Sequence, residues 1–396
     1  MRNKKKFIAL AAFLLALACL VHGPLKNNLG LSARYFYDHV DLGIYAQRAS
    51  WYGAGLRPYT DVFSEYPQAA TYFFAIPSAL LRAVSRPYVE ADYEFVFSLL
   101  MVGLLFATTT LLYGLRSDNK NRAFLMLLPA TIYFTINRYD MLPACLAVLS
   151  YAALTRGRYR WAGHLLALGV LAKWYLLLLF PIYAQYCYRK VHRLPWRMAL
   201  VFVLTGLAGI ATTVVHSGWS GVMVPYAFHS GRHPNSESLF YLLEQAIKFA
   251  FSVDIANRGY YLLFLGLQFA VMPLTLLFKI DTDEKVVTWS AFSILLFMLF
   301  GKFYSPQWII WAMPFLILSC RDRATLALIA AFDVATYAYF PVIFDALRTT
   351  HPVPFPMAIC IKTGLLLALI AKLAGQIGGD TITHLEPVAS SLRSAS

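Results

Sequence analysis

Long runs without a charge decide what this chain can become. Apolar stretches of about 15–20 residues recur along most of its length, close to the roughly 20 that carry a helix across about 30 Å of hydrocarbon. They are apolar on every face. A transmembrane barrel would instead alternate apolar and polar residues over segments of about 10, so the expected fold is helical. Composition agrees, with 59% of the 396 residues apolar and 14% charged, against about 25% charged in an ordinary soluble domain.

The net charge of +14 does not point to nucleic acid, because the basic residues sit in short clusters between apolar runs. Arg116/Lys120/Arg122, Arg156/Arg158/Arg160, Arg189/Lys190/Arg193/Arg197 and Arg321/Arg323 mark inner loops by the positive-inside rule. With the N-terminus inside, helices are predicted at 7–23, 92–115, 123–137, 141–155, 161–173, 174–189, 198–216, 258–279, 286–301, 306–320, 324–344 and 355–375. The expected fold class is thus an all-α polytopic membrane protein with about 12 transmembrane helices, within a range of about 10–13. Residues 1–380 read as one membrane domain, and 381–396 as a disordered cytoplasmic tail. Met1 to Val21 reads as an uncleaved first membrane helix rather than a signal peptide. Both termini are expected in the cytoplasm.

The two long connections, 24–91 and 217–257, fall on the outer face, so function is expected there. In the first, 41–53 predicts an amphipathic helix with an acidic start and a glycine stop. Residues 66–82 predict an interfacial helix, with a true crossing as the competing assignment. Cys19, Cys145, Cys187, Cys320 and Cys360 lack disulfide or zinc spacing and read as small core residues.

The first outer loop gathers carboxylates and aromatics: Asp38 and Asp41, then Tyr59, Asp61, Glu65 and Tyr66. A carboxylate beside apolar aromatics can take the proton of a hydroxyl; the plainer reading of Asp41 is a helix start that favours the dipole. Arg138, Asp140, Lys173, Lys302 and Gln307 interrupt apolar segments at outer ends of helical hairpins. Cations at membrane depth are costly, so several at one level suggest a bound anion such as a phosphate, while any one alone reads as snorkelling to the interface. The second outer loop offers His229, Arg232 and Glu237. His229 and His233 are four apart, but no helix pattern covers them and no third ligand is evident, so zinc is not expected there. Asp333, mid-helix, reads as a structural hydrogen-bond partner more readily than as a proton relay.

In order, Asp41-Leu-Gly-Ile-Tyr45, Gly55-Leu-Arg-Pro-Tyr59-Thr-Asp61, Glu65-Tyr-Pro67, Asn137-Arg-Tyr-Asp140, Lys173-Trp-Tyr175, His229…Arg232…Glu237-Ser238 and Lys302-Phe-Tyr-Ser-Pro-Gln307 resemble the pattern of GT-C integral-membrane glycosyltransferases. The likeness is greatest to glycosyltransferase family 87 and the polyprenyl-phosphate-mannose-dependent mannosyltransferases, and it runs from about residue 38 to 320. The resemblance implies a GT-C-like membrane fold and a hexosyltransferase in a bacterial plasma membrane. That enzyme would move a sugar, mannose by family frequency, from a polyprenyl-phosphate carrier to a lipid or glycan hydroxyl on the extracytoplasmic side, with inversion. It implies Asp41 as general base, with Asp38, Asp61 and Glu65 as alternates. Arg138, Lys173, His229, Arg232 and Lys302 would meet the donor phosphate, and Tyr59, Tyr66, Asp140, Glu237 and Gln307 the substrates. The scheme calls for no cofactor and no metal. The partners are the lipid-linked donor, the acceptor and membrane lipids. One departure is Tyr66-Pro67-Gln68, where the family commonly shows Tyr-Pro-Pro. The rival readings are a transporter or lipid flippase of envelope precursors, which many helices and Asp333 would suit, and a non-catalytic envelope scaffold. Long outer loops count against a transporter.

Overall fold

The computed structural model describes residues 2–26, 35–116, 118–255, 261–344 and 354–382. The predicted tail, 381–396, lies outside them from residue 383 onward, as do 258–260 of the predicted helix 258–279. Among the described residues the chain is helical, with one isolated backbone bridge between Pro58 and Val62.

The helices are α1 (Arg2–Val21), α2 (His39–Gly53), α3 (Gln68–Phe73), α4 (Ala75–Ala83), α5 (Glu90–Leu115), α6 (Pro129–Asn137), α7 (Met141–Thr155), α8 (Tyr159–Ala172), α9 (Leu179–Val191), α10 (Trp196–Gly231), α11 (Leu239–Phe251), α12 (Tyr261–Leu274), α13 (Asp283–Phe300), α14 (Ile309–Ser319), α15 (Arg323–Tyr337) and α16 (Pro354–Ile382). Short 3-10 turns at Lys120–Leu127, Trp174–Leu178 and Pro306–Trp308 lead into α6, α9 and α14. Pro129 explains one such junction: it holds Leu128 extended and then starts α6 at a position where a missing N–H costs nothing.

Among the described residues, four helices are long and apolar enough to cross a membrane: Glu90–Leu115, Trp196–Gly231, Arg323–Ile343 and Pro356–Gly378. This supports a membrane protein. The remaining apolar helices, Met141–Thr155 and Pro306–Ser319 among them, are shorter.

Two predicted stretches differ from the structure. The helix expected over 66–82 is broken at Phe74 into α3 and α4, of 6 and 9 residues, and neither is near the roughly 20 residues a crossing needs. The break is held by packing, since Phe74 is fully buried against Tyr45 at 4.2 Å, Tyr66 at 5.1 Å and Tyr139 at 5.3 Å between ring centroids. The second outer loop is also largely helical: α10 continues to Gly231, and α11 fills Leu239–Phe251, so His229 does lie on a helix. What separates the predicted helix 198–216 from its continuation is Gly218, at φ 68° and ψ 177°, a conformation that a side chain would strain. The loop 57–62 docks at this break, where Ser217 Oγ donates to the Pro58 carbonyl at 2.5 Å.

α14 forms the centre of the bundle. Every residue in it except Leu318 is buried, and it packs against α5, α6, α7, α13 and α15. A helix apolar on all faces belongs in a protein core or a membrane span, and here neighbouring helices cover it on every side. Its C-terminal carbonyls are met by arginines: Arg116 donates to Ile317 and Cys320, and Arg122 to Cys320, which satisfies groups that a helix end leaves open. The five cysteines are free and separate.

Candidate functional site

The site begins where α2 begins. Asp38 caps the helix by accepting the Val40 N–H at 3.0 Å, and Asp41 follows in the first turn, where a negative charge suits the dipole. The N-terminus of α2 is fastened to the bundle by Asn137 at the end of α6. Its Oδ1 accepts the Asp38 N–H at 3.1 Å, and its amide donates to the Phe36 carbonyl at 3.0 Å and the Tyr133 carbonyl at 2.8 Å.

The residue after Asn137 completes the centre. Arg138 leaves the helix in an extended conformation, φ −140°. Its guanidinium pairs with Asp38, and its Nε lies 2.8 Å from Asp41. A second pair stands beside the first. Asp140, fully buried, accepts from Lys173 Nζ at 2.9 Å and from Trp311 Nε1 at 2.6 Å, both on Oδ1. Lys173 itself stands in the extended break between α8 and the turn that follows, with its ammonium 4.4 Å from the Tyr139 ring centre and 5.2 Å from that of Trp311. Three carboxylates thus face two cations, leaving one negative charge in excess. Burial pushes the Asp41 carboxyl above the usual range; Arg138 pulls it down, Asp38 and Asp140 push it further up, and Lys173 opposes them. With 23% of its side chain accessible, Asp41 stays reachable. A carboxylate raised this way is a stronger proton acceptor.

A second group of predicted residues lies alongside. His229 Nε2 contacts the Glu65 carbonyl at 3.1 Å, and its ring packs on Trp174 at 5.2 Å. Arg232 lies 3.4 Å over the Phe303 ring, and among the described residues no carboxylate is within ion-pair distance of it. Burial draws Arg232 below its ordinary value while Glu65, Tyr66 and Asp41 hold it up, so its charge acts on the same site as the acids. Lys302 donates to the Ser230 carbonyl at 2.9 Å, and burial lowers it too. The Tyr66 ring joins the two groups, 5.4 Å from Tyr139 and 5.1 Å from the Arg48 guanidinium.

The structure therefore brings together Asp38, Asp41, Arg138, Asp140, Lys173 and Tyr66, with Glu65, His229, Arg232 and Lys302 next to them. The others sit apart. Asp61 pairs with exposed Arg57 at 3.1 Å, within its own loop. Tyr59 donates to the Tyr66 carbonyl and to Thr71, each at 2.8 Å, so its hydroxyl is used in holding the loop. Gln307 accepts from Ser305 at 2.5 Å, and Glu237 lies buried toward Tyr304 and Lys362. Asp333 is a cap: it accepts the Ala130 N–H at 2.8 Å, the Thr131 N–H at 3.0 Å and the Thr131 hydroxyl at 2.7 Å, at the N-terminus of α6.

Sequence reasoning missed Arg48 and Trp311. Arg48, buried, binds Glu65 at 2.5 Å; a cation on the α2 face that also carries Tyr45 and Leu42 was a usable signal. Trp311 is one apolar residue in an apolar helix, and nothing local marks it. Also missed was an apolar cavity of about 570 Å³ lined by Gln68, Tyr72, Phe73, Leu142, Leu171 and Gly209. Ala172 in its lining is followed in the chain by Lys173, and Leu142 comes two residues after Asp140, so the cavity is lined by the segments that carry these two charges.

No protein-family model matches the sequence, and no curated protein matches it.

Proposed function

We propose that this chain is a GT-C-type membrane glycosyltransferase that moves a sugar, mannose in the first instance, from a polyprenyl phosphate to a lipid or glycan hydroxyl. The observation that carries the reading is the Asp38/Asp41–Arg138 set joined to Asp140–Lys173 beside an apolar cavity. A reacting sugar phosphate on a long apolar tail needs those two environments side by side: charge for the head and hydrocarbon for the chain.

In the proposed reaction the acceptor oxygen attacks the anomeric carbon from the face opposite the phosphate. Asp41 takes the hydroxyl proton, the bond from the anomeric carbon to the phosphate oxygen breaks, and the polyprenyl phosphate leaves with the electron pair. One C–O bond forms as another breaks, and the anomeric centre inverts. Arg138 stays paired with Asp38 when Asp41 is protonated, so the guanidinium is never left without a counter-charge. Among the described residues no carboxylate lies within ion-pair distance of Arg232, which suits it to a leaving phosphate, with Lys302 and His229 at hand. The outer-face orientation, the count of about 12 crossings and the plasma-membrane address belong to this same reading. Asp333, which a proton-coupled transporter would use, is engaged as a helix cap.

The test is transfer of labelled mannose from polyprenyl-phosphate-mannose to endogenous lipid or glycan by the purified protein. Wild type transfers; Asp41→Asn folds and loses at least about 100-fold, the share a general base supplies. Export of a labelled lipid-linked sugar without any transfer, across a panel of donors, would instead establish a flippase.

A further inference from the structure

His39, one residue past the Asp38 cap, belongs to a different cluster. Its Nδ1 lies 2.7 Å from Glu94 Oε1, and the Tyr37 hydroxyl donates to both Glu94 oxygens at 2.8 and 2.9 Å. Glu94 is buried on α5, only 2% exposed. The Tyr37 oxygen also stands 2.9 Å from Nδ1, and the neutral tautomer that donates from Nδ1 to Glu94 is the one that leaves a lone pair on Nε2. That nitrogen faces Glu90, one turn earlier on α5, at 3.6 Å from Oε1. The distance is long for a hydrogen bond and close to the roughly 3.4 Å that separates two ligands about 2.0–2.2 Å from one tetrahedral ion.

A second observation bears on the gap itself. Gly43 stands one turn beyond His39 on α2, where a Cβ would lie 3.0 Å from His39 Nε2 and 3.5 Å from Glu90 Oε1. Glycine is disfavoured inside a helix relative to alanine, and here it keeps the space between the two donors open. The charges agree, since two carboxylates four apart on one helix repel, and ligand atoms of His39, Glu90 and Glu94 all lie within 4.8 Å of one another.

We propose that His39 Nε2 and the Glu90 carboxylate hold a divalent transition-metal ion of the zinc class, with Glu94 and Tyr37 as the outer groups that orient the imidazole. An imidazole nitrogen with a carboxylate oxygen suits zinc and excludes magnesium or calcium as the preferred ion. A carboxylate behind the ligating histidine is the usual support of such a site. His39 and Glu90 are half exposed, at 54% and 51% of their side chains, so the remaining coordination positions open to solvent. The ion bridges α2 to α5 and so fixes the turn that carries Asp38 and Asp41 without touching a reacting atom.

The full-length protein, purified in detergent and stripped of metal, is titrated with zinc, and bound zinc and the melting temperature are read together. Wild type retains one equivalent and melts higher with zinc than with magnesium or calcium. His39→Ala and Glu90→Gln weaken binding at least tenfold. Glu90 is exposed, so Glu90→Gln leaves the fold intact and keeps the test open if His39→Ala misfolds. No zinc retained by wild type, undiminished binding in Glu90→Gln, or equal stabilisation by magnesium would each overturn the site.

Discussion

Arg138, set between Asp38 and Asp41, controls the proton affinity of the candidate base. Asp41 must be ionised to accept a proton, so transfer rises with pH through its raised pKa and falls below it. Taking away an adjacent opposite charge raises a carboxyl by about 1–3 units. Arg138→Gln should therefore move the acid limb of the rate profile up by about that much, and activity lost at neutral pH should return in part at higher pH; a simple loss with an unmoved limb would mean that Arg138 acts on the phosphate instead. Trp311 offers a separate test. Asp140 is fully buried and takes both its hydrogen bonds on Oδ1, and Trp311→Phe removes one of them. A hydrogen bond to a charged group is worth about 1.5–3 kcal/mol, so the melting temperature should drop accordingly, with Lys173 left as the sole donor. An unchanged midpoint would show that the indole contributes nothing there.

Elements carry the site through their ends and breaks more than through their regular turns. Asp38 and Asp41 stand at the start of α2, Arg138 and Asp140 between α6 and α7, Lys173 after α8, and Arg232 after α10. Most of these side chains sit outside the regular helical repeat, where a break or cap sets their direction. Gly218 makes the most dependent of these breaks. At φ 68° and ψ 177°, a region essentially confined to glycine, a Cβ costs about 1–3 kcal/mol, so Gly218→Ala should destabilise by about that amount and loosen the 57–62 loop that docks on Ser217. Protease accessibility of the loop measures this, and a loop as protected as in wild type would contradict it. The split of α3 from α4 at Phe74 was not legible in the sequence. Pro67 and Pro77 mark the region, but the break lies between them, where four aromatic rings meet from α2, the loop before α3, the Phe74 joint and the 137–140 turn.

Over the whole molecule, the outer-face reading makes a topological prediction. In a background without the native cysteines, Lys120→Cys and Arg158→Cys should react with an impermeant label only from the cytoplasm, and Thr60→Cys and His233→Cys only from outside. Reversal beyond residue 92 would put a crossing in 66–82. The helical fold, the places of most helices and, within the site, Asp38, Asp41, Arg138, Asp140 and Lys173 were legible in the sequence, because uncharged runs and the polar residues that interrupt them report on the surroundings each segment must meet. Pairing was not. That Arg138 serves two acids, that Trp311 holds Asp140, that Asp333 caps α6, and that His39 faces Glu90 across Gly43 all join residues far apart in the chain. Only the tertiary structure decided these, since a buried charge takes whichever partner packing brings within reach, and hydropathy carries no record of that choice.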